Sequence, residues 1–239
     1  SGIEITAGDT EGIRRALVYL EDEILRSGGP FLLPCRIKRT PVIKTRISRS
    51  CYAPTDYPSK SRSREADALD YYPFELLNRY AHDGINGLWH EIVFSEFIPS
   101  KIILEYGQEG EKYLGKLAEI CDRCRLYGIK LYIYCNEPRG FPSGSPMIKK
   151  YPQIQGHNNG AFSYFCTSSP MGKAYLEEAT YTLFNRVPGL GGLINIPIGE
   201  RVTNCYSGSG DRKTNNCPRC RRKQPAEVLA ETLSTMARG

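Results

Sequence analysis

Residues 191–220 read GGLINIPIGERVTNCYSGSGDRKTNNCPRC, an isoleucine-rich run that leads straight into an acid, an amide and three cysteines. From Leu193 to Ile198 almost no side chain is polar, the pattern of a strand covered on both faces in a parallel sheet flanked by helices. Glu200 then stands where the strand leaves the core. In α/β barrels and open α/β sheets, functional groups gather at the carboxyl ends of strands, where loops vary and strands hold them rigid. Glycine before the acid, with Arg201 and Asn204 after it, favours a functional glutamate over a merely solvated one.

Outward from this stretch, strand and helix patterns alternate. From Asp9, apolar residues Ile13, Ala16, Leu17, Leu20 and Ile24 mark one face of a helix that Gly28-Gly29-Pro30 stops. A strand is predicted over Val42 to Tyr52, a loop over Tyr57 to Asp70, a short helix over Pro73 to His82 and a strand over Ile85 to Phe94. A helix from Gln108 to Leu126, with Tyr113, Leu117 and Ile120 inward, is capped by Gly128 before a strand from Ile129 to Cys135. A Gly/Pro/Asn-rich loop runs to Cys166, Pro170 opens a helix ending near Arg186, and a last helix spans Ala226 to Met236.

Such alternation implies parallel strands with helical crossovers, and the longest loops follow strands, as in a (β/α) barrel. The fold class expected is α/β: about four β/α units, the first half of a TIM-type (β/α)8 barrel. An open half sheet exposes its edge, so the missing half or a second chain is the expected partner.

The 239 residues are 40% hydrophobic and 24% charged, enough for a real core, and no apolar stretch approaches the ~20 residues of a membrane helix. The start Ser1-Gly2-Ile3-Glu4 lacks a signal-peptide pattern. Nine cysteines, an odd number, argue against a fully paired disulfide framework and for a reducing, cytoplasmic compartment.

Three carboxylates stand at successive predicted strand ends: Glu91, Glu137 and Glu200. Glycosidic cleavage needs a proton donor whose pKa is raised by burial and a second group that stabilises an oxocarbenium-like transition state. Glu200 and Glu137 are the catalytic candidates. Trp89, His90, Glu91, Asn136, Arg139 and Asn204 are expected to line a sugar site, with Tyr52, Tyr134 and Tyr164 as further aromatic faces. An ion pair of Glu91 or Glu137 with Arg139 or Arg46 is the competing reading.

Eleven residues separate Cys205 from Cys217, and only Pro218-Arg219 separate Cys217 from Cys220, a spacing that suits a structural Zn²⁺. Cys166 is the first candidate for fourth ligand and His157 the second. Cys121 and Cys124 fall inside a helix and read as core or surface thiols. The formal charge of +6 and the basic run Arg219, Arg221, Arg222 and Lys223 keep a zinc-stabilised nucleic-acid module as an alternative, although acids at strand ends disfavour it. A non-catalytic sugar-binding barrel is a third reading.

Three segments suggest a family. The opening Gly2-Ile3-Glu4-Ile5-Thr6-Ala7-Gly8-Asp9-Thr10-Glu11-Gly12 resembles the end of the α+β accessory domain that precedes the barrel in family 20 glycoside hydrolases, the β-N-acetylhexosaminidases. Tyr80-Ala81-His82-Asp83-Gly84-Ile85-Asn86-Gly87-Leu88-Trp89 and Tyr127-Gly128-Ile129-Lys130-Leu131-Tyr132 resemble that barrel's passages into its second and third strands. The resemblance implies that residues 1–38 close an accessory domain and linker and that residues 39–239 are a partial catalytic barrel. It also implies a carbohydrate substrate, with Glu200 as the general acid. Glycine stands before Glu200, where that family has the aspartate that orients the substrate acetamido group. Asn136-Glu137-Pro138 resembles the acid motif that closes the fourth strand in another group of retaining barrel glycosidases; here it follows the third predicted strand.

Overall fold

The computed structural model describes residues 2–49, 72–208 and 212–239. In chain order these form α1 (Thr10–Ser27), β1 (Ile47–Arg49), α2 (Phe74–His82), β2 (Gly87–Glu91), a short α3 (Phe94–Phe97), α4 (Gly110–Leu126) and β3 (Lys130–Cys135). An excursion follows, with β4 (Phe141–Pro142), α5 (Pro146–Lys150), β5 (Gln155–Asn158) and β6 (Phe162–Phe165). The chain then returns through α6 (Pro170–Arg186), β7 (Leu190–Asn195) and α7 (Pro225–Met236).

The helices start where their residues satisfy free backbone donors. Asp9 accepts from the Gly12 N–H, and Ser169 accepts from the Gly172 N–H just ahead of Pro170. Gln224 and Glu227 close a reciprocal capping box on α7. Gly28, at φ 71°, ends α1 in the left-handed conformation that glycine adopts freely.

Four strands pair in parallel in the order β1-β2-β3-β7. Sequential order with a helical crossover after each strand is the arrangement of a strip of α/β barrel, and the described strands do not close into a ring. Alternation along each strand gives the sheet two unlike faces. Leu88, Ile92, Leu131, Ile133 and Cys135 are buried on one face in the core with Leu114, Leu117 and Ile120 of α4 and Leu176 and Leu183 of α6. Trp89, Tyr132 and Tyr134 lie on the other face and are half-buried.

The strand ahead of Glu200 differs from its sequence reading. It spans Leu190–Asn195 rather than reaching Ile198, and all its residues are half-buried rather than covered on both faces. Asn195 ends the strand with its side chain bound to the Glu137 backbone N–H at 2.9 Å and C=O at 3.0 Å, and Pro197 has no N–H for the ladder. Its exposure follows from its place: among the described strands, β7 is an edge. A groove of about 690 Å³ runs beside it, lined by Phe184, Leu193, Ile194, Leu233 and Met236.

Other boundaries shift as well. The strand predicted to end at Phe94 stops at Glu91, because the Phe94 N–H donates to Glu137 Oε1 at 2.8 Å and opens α3. The predicted strand over Val42 to Tyr52 shortens to β1, and its end, with the loop Tyr57 to Asp70, lies outside the described residues. The stretch read as a long loop before Cys166 carries an antiparallel sheet of order β4-β6-β5. Helix α1 buries no residue fully; Ile13 and Leu17 remain exposed, and its Arg15 binds the carbonyls of Ala81 and Ile85 beside α2.

Candidate functional site

The aromatic face of the sheet ends in a polar cluster. In the parallel register Arg49 pairs with Trp89, Trp89 with Tyr132, and Glu91 with Tyr134. The Arg49 guanidinium lies 5.1 Å from the Trp89 ring centre, and the Trp89 and Tyr134 rings are 4.5 Å apart. Two residues beyond Tyr134, on the same face, Asn136 donates from Nδ2 to Glu200 Oε2 at 3.0 Å. The Tyr134 hydroxyl donates to that same carboxylate oxygen. Glu91 ends β2 on this face and faces Arg139, with Nη2 at 3.5 Å from Oε1.

The surroundings of Glu200 favour its charged form. It is exposed, and the Tyr134 hydroxyl first, with Asn136 and Arg201 adding to it, holds its carboxyl below the usual range. Donors aimed at a carboxylate stabilise its charged form, the opposite of what a general acid needs. The group suits the ionised member of a catalytic pair.

Glu137 behaves in the opposite way. It is 1% exposed, and burial pushes its carboxyl up to about 7 against the opposing effects of Arg139 and of the N–H groups of Phe94 and Arg139. Both its oxygens are taken by those backbone donors, and it lies on the helix-covered face, in line with Cys135 and Ile133. His90 sits on that side too. It is 3% exposed with Nδ1 2.7 Å from the Tyr72 hydroxyl, and burial lowers its pKa to about 4, so it is neutral.

Glu137 has a stability signature. Its folded pKa lies above its unfolded one, so the native state binds the extra proton between about pH 4.5 and 7. Its contribution is complete below pH 4.5 and is lost as pH rises through 7. We expect roughly 3 kcal/mol to disappear across this window, at about 1.36 kcal/mol per unit. Urea unfolding at pH 4.5 and at pH 7.5 checks this, with Glu137→Gln expected to flatten the slope and parallel profiles counting against it.

A second cluster lies where β6, the chain beyond β7 and the turn before α7 converge. The Sγ atoms of Cys166, Cys205, Cys217 and Cys220 all lie within 4.8 Å of one another, and all four residues are buried. Cys166 Sγ is 3.7 Å from that of Cys217 and 3.8 Å from that of Cys220. A disulfide needs about 2.05 Å. A tetrahedron with metal–sulfur bonds of about 2.3 Å has edges of about 3.8 Å, so the cysteines already stand at the spacing of a four-thiolate shell and could hold a metal. Hydrogen bonding from Cys205 first, with Arg219 helping, lowers the Cys166 thiol to about 7. Arg219 donates from Nε to that sulfur at 3.3 Å and is itself held by the carbonyls of Gln153 and Gln155. His157, the second candidate ligand, pairs with Asn216 at 3.0 Å instead.

No protein-family model matches the chain, and no curated protein is similar enough in sequence to count as a relative. Among solved structures, the chain is similar to a GH138 enzyme targeting pectin rhamnogalacturonan II, with a TM-score of 0.58 and 15% identity. The likeness is one of fold. The match covers 95% of this chain and only 24% of that enzyme, so the chain spans about a quarter of its length. The likeness is to family 138 and gives no specific support to family 20.

The structure brings together Trp89, Glu91, Asn136, Arg139 and Glu200 at the strand ends and turns His90 to the other face. Asn204 is fully buried; its Nδ2 donates to the Pro197 carbonyl at 2.8 Å and its Oδ1 accepts from the Tyr206 N–H, so it shapes the Glu200 turn. The basic run is partly consumed: Arg219 serves the cysteines, and Lys223 binds Glu231 at 2.6 Å, leaving Arg221 and Arg222 exposed. Cys121 and Cys124 are buried in α4, and burial raises both thiols to about 12. Sequence reasoning missed Arg49 and the bond from Tyr134 to Glu200. Strand parity carried the second signal, since Tyr134 and Asn136 share a face.

Proposed function

We propose that this chain is part of a carbohydrate-cleaving α/β barrel, acting on a glycosidic bond held over the Trp89–Tyr134 face. The observation that carries the reading is the Glu200 carboxylate, bound by Tyr134 and Asn136 beside an aromatic pair at the carboxyl ends of parallel strands. Sugar rings stack on flat aromatic faces, and an ionised carboxylate stabilises an oxocarbenium-like transition state or activates the attacking group. Glu91 and Arg139 complete the polar rim. On this reading the proton donor is a carboxyl from outside the described residues.

The cysteine cluster holds Zn²⁺ in a structural role, because four sulfur donors leave no open coordination position for substrate. We expect Trp89→Ala in the full-length protein to raise KM about tenfold or more while kcat changes less, because the stacking face is lost. Steady-state kinetics on pectic oligosaccharides and aryl glycosides checks this, and unchanged KM on every cleaved substrate overturns the platform.

A further inference from the structure

We infer that the metal at the cysteine cluster positions Glu200, so that emptying the cluster releases the carboxylate from Tyr134 and Asn136. The inference rests on the zinc reading above and extends it from a structural role to control of the sugar site. Glu200 sits at the tip of a turn whose base is closed at one carbonyl: Pro197 O accepts from the Thr203 hydroxyl and from Asn204 Nδ2. Gly140 N–H donates to Val202 O at 2.7 Å, Phe165 N–H donates to Thr203 O at 3.0 Å, and Phe165 pairs with Asn204 in an isolated parallel bridge. The next residue is Cys205. One peptide bond therefore separates the turn's base from a metal ligand.

The tip of the turn has little packing of its own, and its base is bonded to the segments that carry the cysteines. Ile198, Gly199 and Glu200 are exposed, while Thr203 to Tyr206 are buried at 0–1%. Between β7 and α7 the described chain has one turn of 3-10 helix, Cys220–Arg222, and connections of such length rarely hold themselves. Among the described residues, the satellite core around the cysteines contains Tyr206 and Val228 besides the four thiols. The metal thus joins three segments: the end of β6 through Cys166, the turn base through Cys205, and the Cys217–Cys220 knuckle. Gly156 leaves the space that Cys205 occupies, since a Cβ there would collide with its sulfur. The sheet core is separate and has no need of the metal.

Hydrogen–deuterium exchange read by mass spectrometry on the 239-residue chain tests this, with zinc measured on the same samples. Removing zinc with a chelator is expected to speed exchange of the amides from Arg201 to Tyr206 about tenfold or more, while β3 and α4 keep their protection. Asn204→Ala cuts the link without touching a ligand. This variant should retain its zinc and show the same rise in exchange, which keeps the test decisive even if the metal-free chain unfolds throughout. Zinc present with unchanged exchange in Asn204→Ala overturns the coupling alone. A chain purified without chelator that holds no zinc, and shows no thiolate charge-transfer absorption with Co²⁺, removes the zinc reading and the coupling with it.

Discussion

Replacing Cys220 with serine is expected to take the chain from about one zinc per molecule to near none and to lower its melting temperature by on the order of 10 °C. Cys220 is fully buried, and its sulfur lies 3.8 Å from that of Cys166. A serine hydroxyl is a poor replacement for a thiolate in an all-sulfur shell, and the three remaining sulfurs would stay buried with little apolar contact to hold them. Binding of structural Zn²⁺ contributes about 10–16 kcal/mol in isolated fingers, comparable to the whole stability of a domain, so losing a ligand belongs among the few changes that exceed about 4 kcal/mol. Cys121→Ser is the control. It removes a thiol from the helix-facing core and should leave the zinc content unchanged. Elemental analysis and thermal unfolding on both variants read the result, and equal zinc in Cys220→Ser and the parent chain contradicts it.

Glu200→Gln in the full-length protein is expected to lower kcat about 10²–10⁴-fold with little change in KM, the loss typical of removing a charged participant from the transition state. Glutamine keeps the size and can still accept from the Tyr134 hydroxyl, so the fold and the turn should survive while the negative charge disappears. The acid side of the pH profile follows from the same geometry. Tyr134 and Asn136 favour the carboxylate, so activity should persist below the ordinary glutamate range and fall only as Glu200 takes up its proton at still lower pH. Tyr134→Phe removes the first of those donors and should move that limb upward. A pH profile unmoved by Tyr134→Phe, on an enzyme that cleaves glycosides, would place the critical ionisation elsewhere.

The parallel strands, the helices after them and the four-cysteine cluster were legible because each has a local signature. Pro170 behind a serine cap, the apolar period of α4 and the Cys-Pro-Arg-Cys spacing need no knowledge of distant residues. What could not be read depends on contacts across the chain. The short strands β4 to β6 have two to four residues each and form through pairing with one another. Which of His90 and Glu91 faces the aromatic side depends on the sheet's strand register, and parity reverses with a shift of one residue. The acidity of Glu200 is set by Tyr134, 66 residues away, so no motif around Gly199-Glu200 could reveal that its charged form is the favoured one. The half-burial of β7 likewise escaped the composition of Leu193 to Ile198, because an apolar strand reads alike whether its neighbour is present or not.

The measurement closest to the central claim is product analysis after incubating the full-length protein, and its Glu200→Gln variant, with pectic oligosaccharides and a panel of aryl glycosides. The account predicts new reducing ends or released aglycone with the parent protein on at least one substrate, and about 10²–10⁴-fold slower release with the variant. No turnover of any glycoside by the full-length protein, or equal turnover by the two proteins, contradicts it.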